Sequence, residues 1–448
     1  MPRQCALPVR LMASDPPTQG RLRRVLGLAE VTAGGIGIII GAGIYVLVGS
    51  AAAEAGASVW MAFAIAAGIS FLTALSYMEL VSMYPSAAGE YEYTRRAFPE
   101  WLAFSVGWIM IAGLVVAAAA ISLGFSRYLG YFVDVDVRLG AICLLVLVSF
   151  IASAGIRHAA KLTIVLSTVQ VGGLLLVVAI GVPHFGQQNL LEVESVAGVL
   201  SAAALVFFAF IGFDEVITLS EETEKPTRTV PLALALALGL STLLYVLVAI
   251  AAVSVLGADA LGSSERPLAD VIGHAIGSRG AQVMAALAVV STTNTTLLAV
   301  TAASRLLYGM AARGALPPIL ALLHPKRRTP VVATVSTVLV SALFVLVRDL
   351  KLVASTTDFA VYLVFLAVNA SVVILRFKEA DDPRPFRVPG HVGRMPITPV
   401  LAFITVIIMM WFLDLAAVGL GLLLVASGLA IFFVHGAIAP ESPTHVSK

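Results

Sequence analysis

Long apolar runs separated by short polar segments dominate this chain. Runs bounded by charged residues, proline or glycine fall at residues 25–55, 58–84, 99–126, 137–155, 161–183, 197–224, 231–256, 279–311, 330–348, 351–376, 397–413 and 415–435. Most are close to or longer than the ~20 residues that cross a bilayer as an α-helix, whereas a membrane barrel would show alternating segments of about ten residues. The pattern therefore predicts an all-α membrane protein with twelve transmembrane helices.

Composition supports this class and excludes others. The 448 residues are 59% hydrophobic and 12% charged, whereas soluble domains carry roughly a quarter charged residues. The net charge of +2 is small and its basic residues are scattered, so a nucleic-acid partner is not predicted. The two cysteines, Cys5 and Cys143, are too few for a disulfide framework or a metal cluster. No two histidines have metal-ligand spacing, so neither a metal site nor a cofactor is expected.

The distribution of basic residues predicts the topology. With the N-terminus in the cytoplasm, only six of the 28 Lys and Arg residues fall on the outer side: Arg127, Arg138, Arg266, Arg279, Arg348 and Lys351. Cytoplasmic loops are enriched in Lys and Arg, and one miscounted helix would destroy the bias downstream of it. We therefore expect a multi-pass protein of the cytoplasmic membrane with both termini in the cytoplasm.

Two of the twelve segments are interrupted by residues that disfavour a continuous helix. The first contains five glycines between residues 34 and 43, and the sixth carries Gly212, Asp214 and Glu215 near its middle. They lie five spans apart, so the second set of five helices enters the membrane from the opposite side. This predicts an inverted repeat of the kind found in secondary transporters. The expected organisation is a cytoplasmic tail (1–24), two repeats (25–183 and 196–377), two peripheral helices (397–436) and a second cytoplasmic tail (437–448).

The glycine-rich first segment allows three interpretations. A nucleotide-binding loop is disfavoured, because the glycine spacing is one residue off the fingerprint and no βαβ unit surrounds it. Gly37 and Gly41 have the spacing of a helix-packing face. Alternatively, the helix unwinds at Gly41, Ala42 and Gly43, which frees backbone amides to bind an anion at the start of the following half-helix.

In the sixth segment, two acids follow a glycine within an apolar run. A charge at that depth costs about 2.5–3.5 kcal/mol, so such residues usually face a polar cavity or a partner. A break at Ile211 and Gly212 would release carbonyls that accept bonds from an ammonium group, although Asp214 could instead be the N-cap of the next helical piece. Free amides opposite free carbonyls suit the zwitterionic part shared by all α-amino acids.

At these two segments the chain resembles the amino acid–polyamine–organocation permeases, in particular bacterial and archaeal relatives of the cationic amino acid transporters. The resemblance rests on GIGIIIGAGIYVLVG, FFAFIGFDEVITLSEETEKPTRTVP, YMELVSMYPSAAGEYEYTRRAF, STTNTTLLAVTAASRLLYGMAARGALP and PFRVPG. It implies a leucine-transporter-like fold, with ten core and two peripheral helices, that moves amino acids by alternating access. The implied substrate-binding residues are Ile40, Gly41, Ala42 and Gly43 in the first helix and Phe208, Ala209, Ile211, Gly212, Phe213 and Asp214 in the sixth.

The resemblance also implies an ion-coupling site and one departure from the family pattern. Ser291 and Thr292 are the expected hydroxyl ligands, although such hydroxyls can also bond within their own helix. Gln170 stands where proton-coupled relatives place a lysine, and an amide cannot titrate. It could instead donate a hydrogen bond to a carbonyl near Gly37 or leave room for sodium. Coupling to protons or sodium, and exchange or facilitated transport without an ion, stay open.

The substrate and the lipid bilayer are the expected partners. An intramembrane enzyme would need a nucleophile and base, or a metal, at membrane depth, and the sequence suggests neither. The third segment contains no acid between Trp108 and Ser122, and a fixed cationic side chain would need one. We therefore predict neutral, small to medium amino acids over arginine or lysine.

Overall fold

The computed structural model describes residues 26–84, 89–154, 156–221 and 223–438. The two predicted tails lie outside these residues, apart from 437 and 438. The α-helices are α1 (Leu28–Ile39), α2 (Gly43–Ala55), α3 (Val59–Met83), α4 (Gly89–Ala97), α5 (Glu100–Leu129), α6 (Val137–Ala154), α7 (Ile156–Gly181), α8 (Val196–Val206), α9 (Pro226–Leu256), α10 (Ala258–Ser263), α11 (Pro267–Ile276), α12 (Ser278–Ala312), α13 (Val331–Val345), α14 (Leu350–Lys378), α15 (Ile397–Trp411) and α16 (Leu415–Ile438).

Helices make up nearly all of the regular structure. Short 3₁₀ segments occur at Gly56–Ser58, Val182–His184, Phe207–Phe210, Phe213–Glu221 and Pro318–Ala321. In the described residues the regular strands are β1 (His391–Val392) and β2 (Met395–Pro396), an antiparallel pair in which His391 is opposite Pro396. The all-α prediction is confirmed, and each predicted apolar run falls on helical residues. Three further helices, α4, α10 and α11, lie between those runs.

Nine helical stretches of the described chain are long and apolar enough to cross a membrane. The first of them, Gly43–Met83, joins α2 to α3, and three predicted spans fall on the shorter apolar helices Leu28–Ile39, Val331–Val345 and Ile397–Trp411. A 12-residue helix is only about 18 Å long at 1.5 Å per residue. The first of these short helices can therefore cross a bilayer only together with the α2 segment that follows it.

The helices form a buried centre and an apolar perimeter. Nearly all of α5 is buried, whereas most of α16 is not. The small residues Ala117–Ala120 allow neighbouring helices to approach α5 closely. On α15, Leu401 and Ile404 are about half exposed. A perimeter of large apolar side chains suits hydrocarbon as the surrounding solvent.

A buried ion cluster fixes one end of the bundle. Glu79 of α3, 0% exposed, accepts hydrogen bonds from Arg376 of α14 at 2.5 and 3.0 Å and from Arg384 at 2.8 Å. The backbone amide of Val388 donates to the same carboxylate at 2.8 Å. The cluster therefore joins α3, the end of α14 and the loop that leads to α15.

Candidate functional site

The first apolar segment consists of two helices separated by three residues. α1 ends at Ile39 and α2 begins at Gly43. Between them, the Gly41 amide donates to the Ile39 carbonyl at 2.7 Å, and the Ala42 amide donates to the Thr295 hydroxyl of α12 at 3.0 Å. The first amides of α2, starting with Gly43, have no partner within their own helix, as at any helix N-terminus. The break therefore presents the positive end of the α2 dipole.

The sixth segment is interrupted in a different way. α8 ends at Val206 and tightens into the 3₁₀ turn Phe207–Phe210, and a second 3₁₀ stretch follows at Phe213. Gly212 lies between the two and has φ +113°, a backbone angle that residues other than glycine rarely adopt. The Gly212 amide donates to the Asp214 carboxylate at 3.1 Å. An N-cap side chain accepts from amides that follow it. Asp214 instead accepts from an amide that precedes it, so it stabilises the turn at Gly212 and is not an N-cap.

The two interruptions are in contact with each other. A Cβ placed on Gly43 would lie 2.6 Å from the Ala209 Cα and 2.9 Å from its Cβ. The Tyr245 hydroxyl of α9 lies 2.8 Å from the Ile39 carbonyl and 3.0 Å from the Ala209 carbonyl, so a single phenol bridges both breaks. Of the carbonyls predicted to hold an ammonium group, that of Ala209 is therefore engaged by the protein itself. The Phe208 carbonyl accepts from the Ile211 amide at 3.4 Å.

Aromatic side chains close one wall beside the second break. The Phe213 ring is fully buried, 5.7 Å from the Tyr77 ring and 5.2 Å from the Phe365 ring. Phe207 lies 5.6 Å from Phe365 on the other side of the break. The lining next to the broken segment therefore combines apolar rings with backbone polar groups, the Tyr77 hydroxyl and the Asp214 carboxylate.

Gln170 of α7 contacts the first break directly. Its side-chain amide donates to the Ile40 carbonyl, one helical turn beyond the carbonyl near Gly37 that the sequence suggested. The Gly37 carbonyl instead accepts from Ser167 at 3.3 Å, and Ser167 in turn accepts from Asn294 at 3.2 Å. A chain of polar side chains from α7 and α12 therefore holds the end of α1.

α12, which contains the eighth apolar run, contacts the first break through Thr295, a residue that the sequence did not predict. Thr292 bonds within its own helix, 2.8 Å from the Ala288 carbonyl, as the alternative interpretation expects. Ser291 is buried, and in the described part of the chain its hydroxyl has no hydrogen-bond partner. The contact with Ala42 comes from Thr295, one turn after Ser291. Thr295 is the fifth of six consecutive polar residues, 291–296, and the sequence does not specify which of them faces the first break.

Three buried oxygens near this break lack a partner among the described residues. They are the side-chain amide oxygens of Gln170 and Asn294 and the hydroxyl of Ser291. Neutral oxygens of this type could coordinate a monovalent cation together with unwound backbone carbonyls. The described residues contain no group of three His, Cys, Asp or Glu side chains that could hold a metal ion.

Comparison with known proteins identifies the family. The profile described as amino acid permease matches residues 26–435. The chain belongs to the amino acid permease family. The branched-chain amino acid permease BcaP of Bacillus subtilis is 30% identical over 437 residues, covering 92% of this chain and 93% of that protein.

Other relatives carry different names at similar identity. Cationic amino acid transporter 4 of Homo sapiens is 29% identical, over 86% of this chain and 64% of that protein. The methylthioribose transporter of Bacillus subtilis is 28% identical, over 88% of each chain. Membership of the permease family makes the chain a multi-pass membrane transporter and not an enzyme.

Proposed function

We propose that this permease moves neutral amino acids across the cytoplasmic membrane by alternating access around the two helix breaks. The observation that carries the proposal is the contact between Gly43 and Ala209. It brings the amide-presenting start of α2 next to the carbonyl-presenting turn after α8. A carboxylate at the first break and an ammonium at the second would satisfy complementary backbone groups.

We assign the substrate contacts to backbone groups that are not already fully hydrogen-bonded within the protein. The amides of Gly41 and Ala42 already have acceptors. We therefore assign carboxylate binding to the amides from Gly43 onward. We assign ammonium binding to the Ile211 carbonyl and to the Phe208 carbonyl, whose long bond of 3.4 Å from the Ile211 amide leaves it a second lone pair. The predicted contributions of Ile40, Ala209, Gly212, Phe213 and Asp214 become structural ones, because these residues shape and brace the two breaks.

The same proposal includes the architecture. Twelve spans, with α1 and α2 together as the first and α8 with the 3₁₀ stretch as the sixth, would give repeats at 25–183 and 196–377 and peripheral helices at 397–436. Both termini would be cytoplasmic, as the distribution of Lys and Arg favours.

Coupling is the second part of the proposal. Gln170 cannot take up a proton, so a lysine-type proton mechanism at this helix is not expected. Exchange or facilitated transport fits the permanent hydrogen bond from Gln170 to Ile40. The alternative is sodium coupling, favoured by the unpartnered oxygens of Gln170, Ser291 and Asn294.

Counterflow in proteoliposomes tests the transport function. Vesicles that contain purified protein are loaded with unlabelled leucine and diluted into labelled leucine, and the label should accumulate transiently and saturably. Protein-free vesicles and vesicles loaded with glucose are the controls. If a panel of neutral and charged amino acids gives no counterflow, the proposed function is wrong. A rate that depends on an inward sodium gradient would favour the sodium alternative.

A further inference from the structure

One acidic residue in the middle of the bundle has no explanation in the proposed transport cycle. Asp358 of α14 is 0% exposed, and neither of its carboxylate oxygens has a hydrogen-bond partner among the described residues. The two other acids that are at most 3% exposed are both satisfied: Glu79 by two arginines and Asp214 by the Gly212 amide. Asp358 therefore differs from every other buried acid of the described helices.

The helices around Asp358 supply no compensating charge. α8 and α15 contain no titratable side chain, α16 has none between residues 415 and 434, and α5 has none between Trp101 and Ser126. On α3, Glu79 pairs with Arg376 at the opposite end of α14, and Tyr77 packs against Phe365, two turns after Asp358. An isolated carboxylate in such surroundings is strongly disfavoured. In this packing the neutral, protonated acid is the stable form.

The nearest titratable groups on α14 itself are both engaged. Lys351, two turns before Asp358, forms an ion pair with Glu54 of α2 at 2.5 Å. Tyr362, one turn after Asp358, donates its hydroxyl to the Ala204 carbonyl of α8 at 3.3 Å. Lys351 is therefore not available as a counter-ion for Asp358, and Tyr362 is not available as a hydrogen-bond donor to it.

A polar cavity approaches Asp358 from one end of the bundle. Its volume is about 190 Å³, and its polar lining consists of Glu54, Ser201, Lys351, Ser355 and Asp414. Ser355 lies three residues before Asp358 and therefore on the same face of α14, one turn away. This is the end at which α2 finishes, which is the outer side in the proposed topology. A proton could therefore reach Asp358 from the outer solution.

The surroundings of Asp358 are also connected to the sixth segment. The Tyr362 ring lies 4.5 Å from the Phe207 ring, directly before the second break. Ser355, Asp358 and Tyr362 lie on one face of α14. Tyr362 bonds to α8, and Ser355 lines the cavity together with Ser201 and Leu205 of α8, so the contact between α14 and α8 encloses this face. Separation of the two would admit water and allow the carboxylate to ionise.

We propose that Asp358 is a proton-binding site whose occupation allows the outer half of the sixth segment to close against α14. This inference rests on the proposed transport function and topology. The sign follows from linkage, because the closed form binds the proton more tightly than a hydrated open form. Acid therefore favours closure, and alkaline solution holds the outer side open and slows each exchange cycle.

Leucine counterflow at matched internal and external pH measures this effect without net ion flow. For the native protein we expect the exchange rate to fall several-fold from acidic to alkaline pH. In Asp358→Asn, which keeps the shape of the neutral acid, the rate should stay near the acidic value at every pH. Asp414→Asn is the matched control. It removes an exposed acid from the same cavity yet preserves the hydrogen bond to the Ala416 amide, and it should follow the native profile.

Infrared difference spectroscopy of the purified protein gives a second measurement that does not depend on transport. The difference between the spectra of the native protein and of Asp358→Asn should contain the carbonyl band of one protonated carboxylic acid, lost in the variant. The proposal is wrong if the variant keeps the native pH profile, or if the native protein exchanges leucine at a pH-independent rate. Absence of counterflow by the native protein with every amino acid would refute the proposed function. The infrared band would still test Asp358 in that case.

Discussion

Gly43 is where the two broken segments meet, and its missing side chain makes that contact possible. A Cβ at this position would lie 2.6 Å from a backbone atom of Ala209, and backbone cannot move aside as a flexible side chain can. We therefore predict that Gly43→Ala reduces leucine counterflow at least tenfold. The measurement compares initial rates at equal amounts of inserted protein.

Gly68→Ala is the matched control for this substitution. Gly68 lies in α3 with nothing within 4 Å of the added carbon, and alanine has the higher helix propensity. Its transport should equal that of the native protein. Native rates for Gly43→Ala would mean that the two breaks need not touch for transport.

The identity of the contacting residues was only partly predictable at this scale. The glycines revealed both breaks because glycine tolerates conformations that other residues avoid, as Gly212 does. Thr295 and Tyr245 were not predicted. Thr295 is one of six consecutive polar residues whose rotation about the helix axis the sequence does not specify. Tyr245 contacts Ile39 across 206 positions of sequence, and nothing in its apolar surroundings indicates a hydrogen bond.

At the scale of helices, Gln170 connects α7 to the end of α1. A glutamine amide does not titrate. We therefore predict that Gln170→Ala leaves the number of protons moved per leucine unchanged. Transport itself should slow, because the hydrogen bond to the Ile40 carbonyl is lost. A pH-sensitive dye in the vesicle lumen measures proton flux alongside labelled uptake. Gln170→Lys, which introduces a titratable group, is the comparison. Stoichiometric proton uptake by the native protein that Gln170→Ala eliminates would contradict this prediction.

The cluster around Glu79 links α3 to α14 and the following loop. Removing one partner of a buried ion pair leaves an uncompensated charge and costs about 3–5 kcal/mol. Glu79→Gln leaves Arg376 and Arg384 without their carboxylate, so it should lower the thermal unfolding temperature in detergent clearly. Glu92→Gln removes the partly exposed pair with Arg96, and it should change the temperature little because surface pairs contribute little. Equal unfolding temperatures for the two variants would show that the cluster is not a stabilising link.

Elements were predicted well where the bilayer dictates them and poorly elsewhere. Among the described residues, the apolar runs are helical apart from the breaks in the first and sixth, because backbone groups in hydrocarbon must be satisfied internally. α4, α10 and α11 were missed because they are short and lie outside those runs. The 3₁₀ geometry around Phe207 was also missed, since hydropathy does not distinguish one helix type from another.

At the scale of the whole molecule, substrate charge is the property that the described residues restrict most. Near the breaks, Asp214 accepts a hydrogen bond from a backbone amide, and Asp358 is fully buried. Glu215, the residue after Asp214, interacts electrostatically with Arg305. α5 contributes no acid between Trp101 and Ser126. Two relatives are named for branched-chain and for cationic amino acids, so family membership alone does not settle the substrate.

We therefore predict that leucine competes with labelled leucine far better than arginine does. An unpaired charge in such a site costs about 2.5–3.5 kcal/mol, which corresponds to a concentration ratio on the order of 100. Inhibition of counterflow by leucine, alanine and arginine over a concentration series measures this ratio.

Methylthioribose, for which another relative is named, is the informative control. It lacks the α-amino acid zwitterion, so it should compete poorly if the two breaks recognise that group. Arginine inhibiting at or below the leucine concentration would show that an acid reaches the substrate in another conformation. Strong competition by methylthioribose would instead show that binding does not depend on the α-amino acid zwitterion.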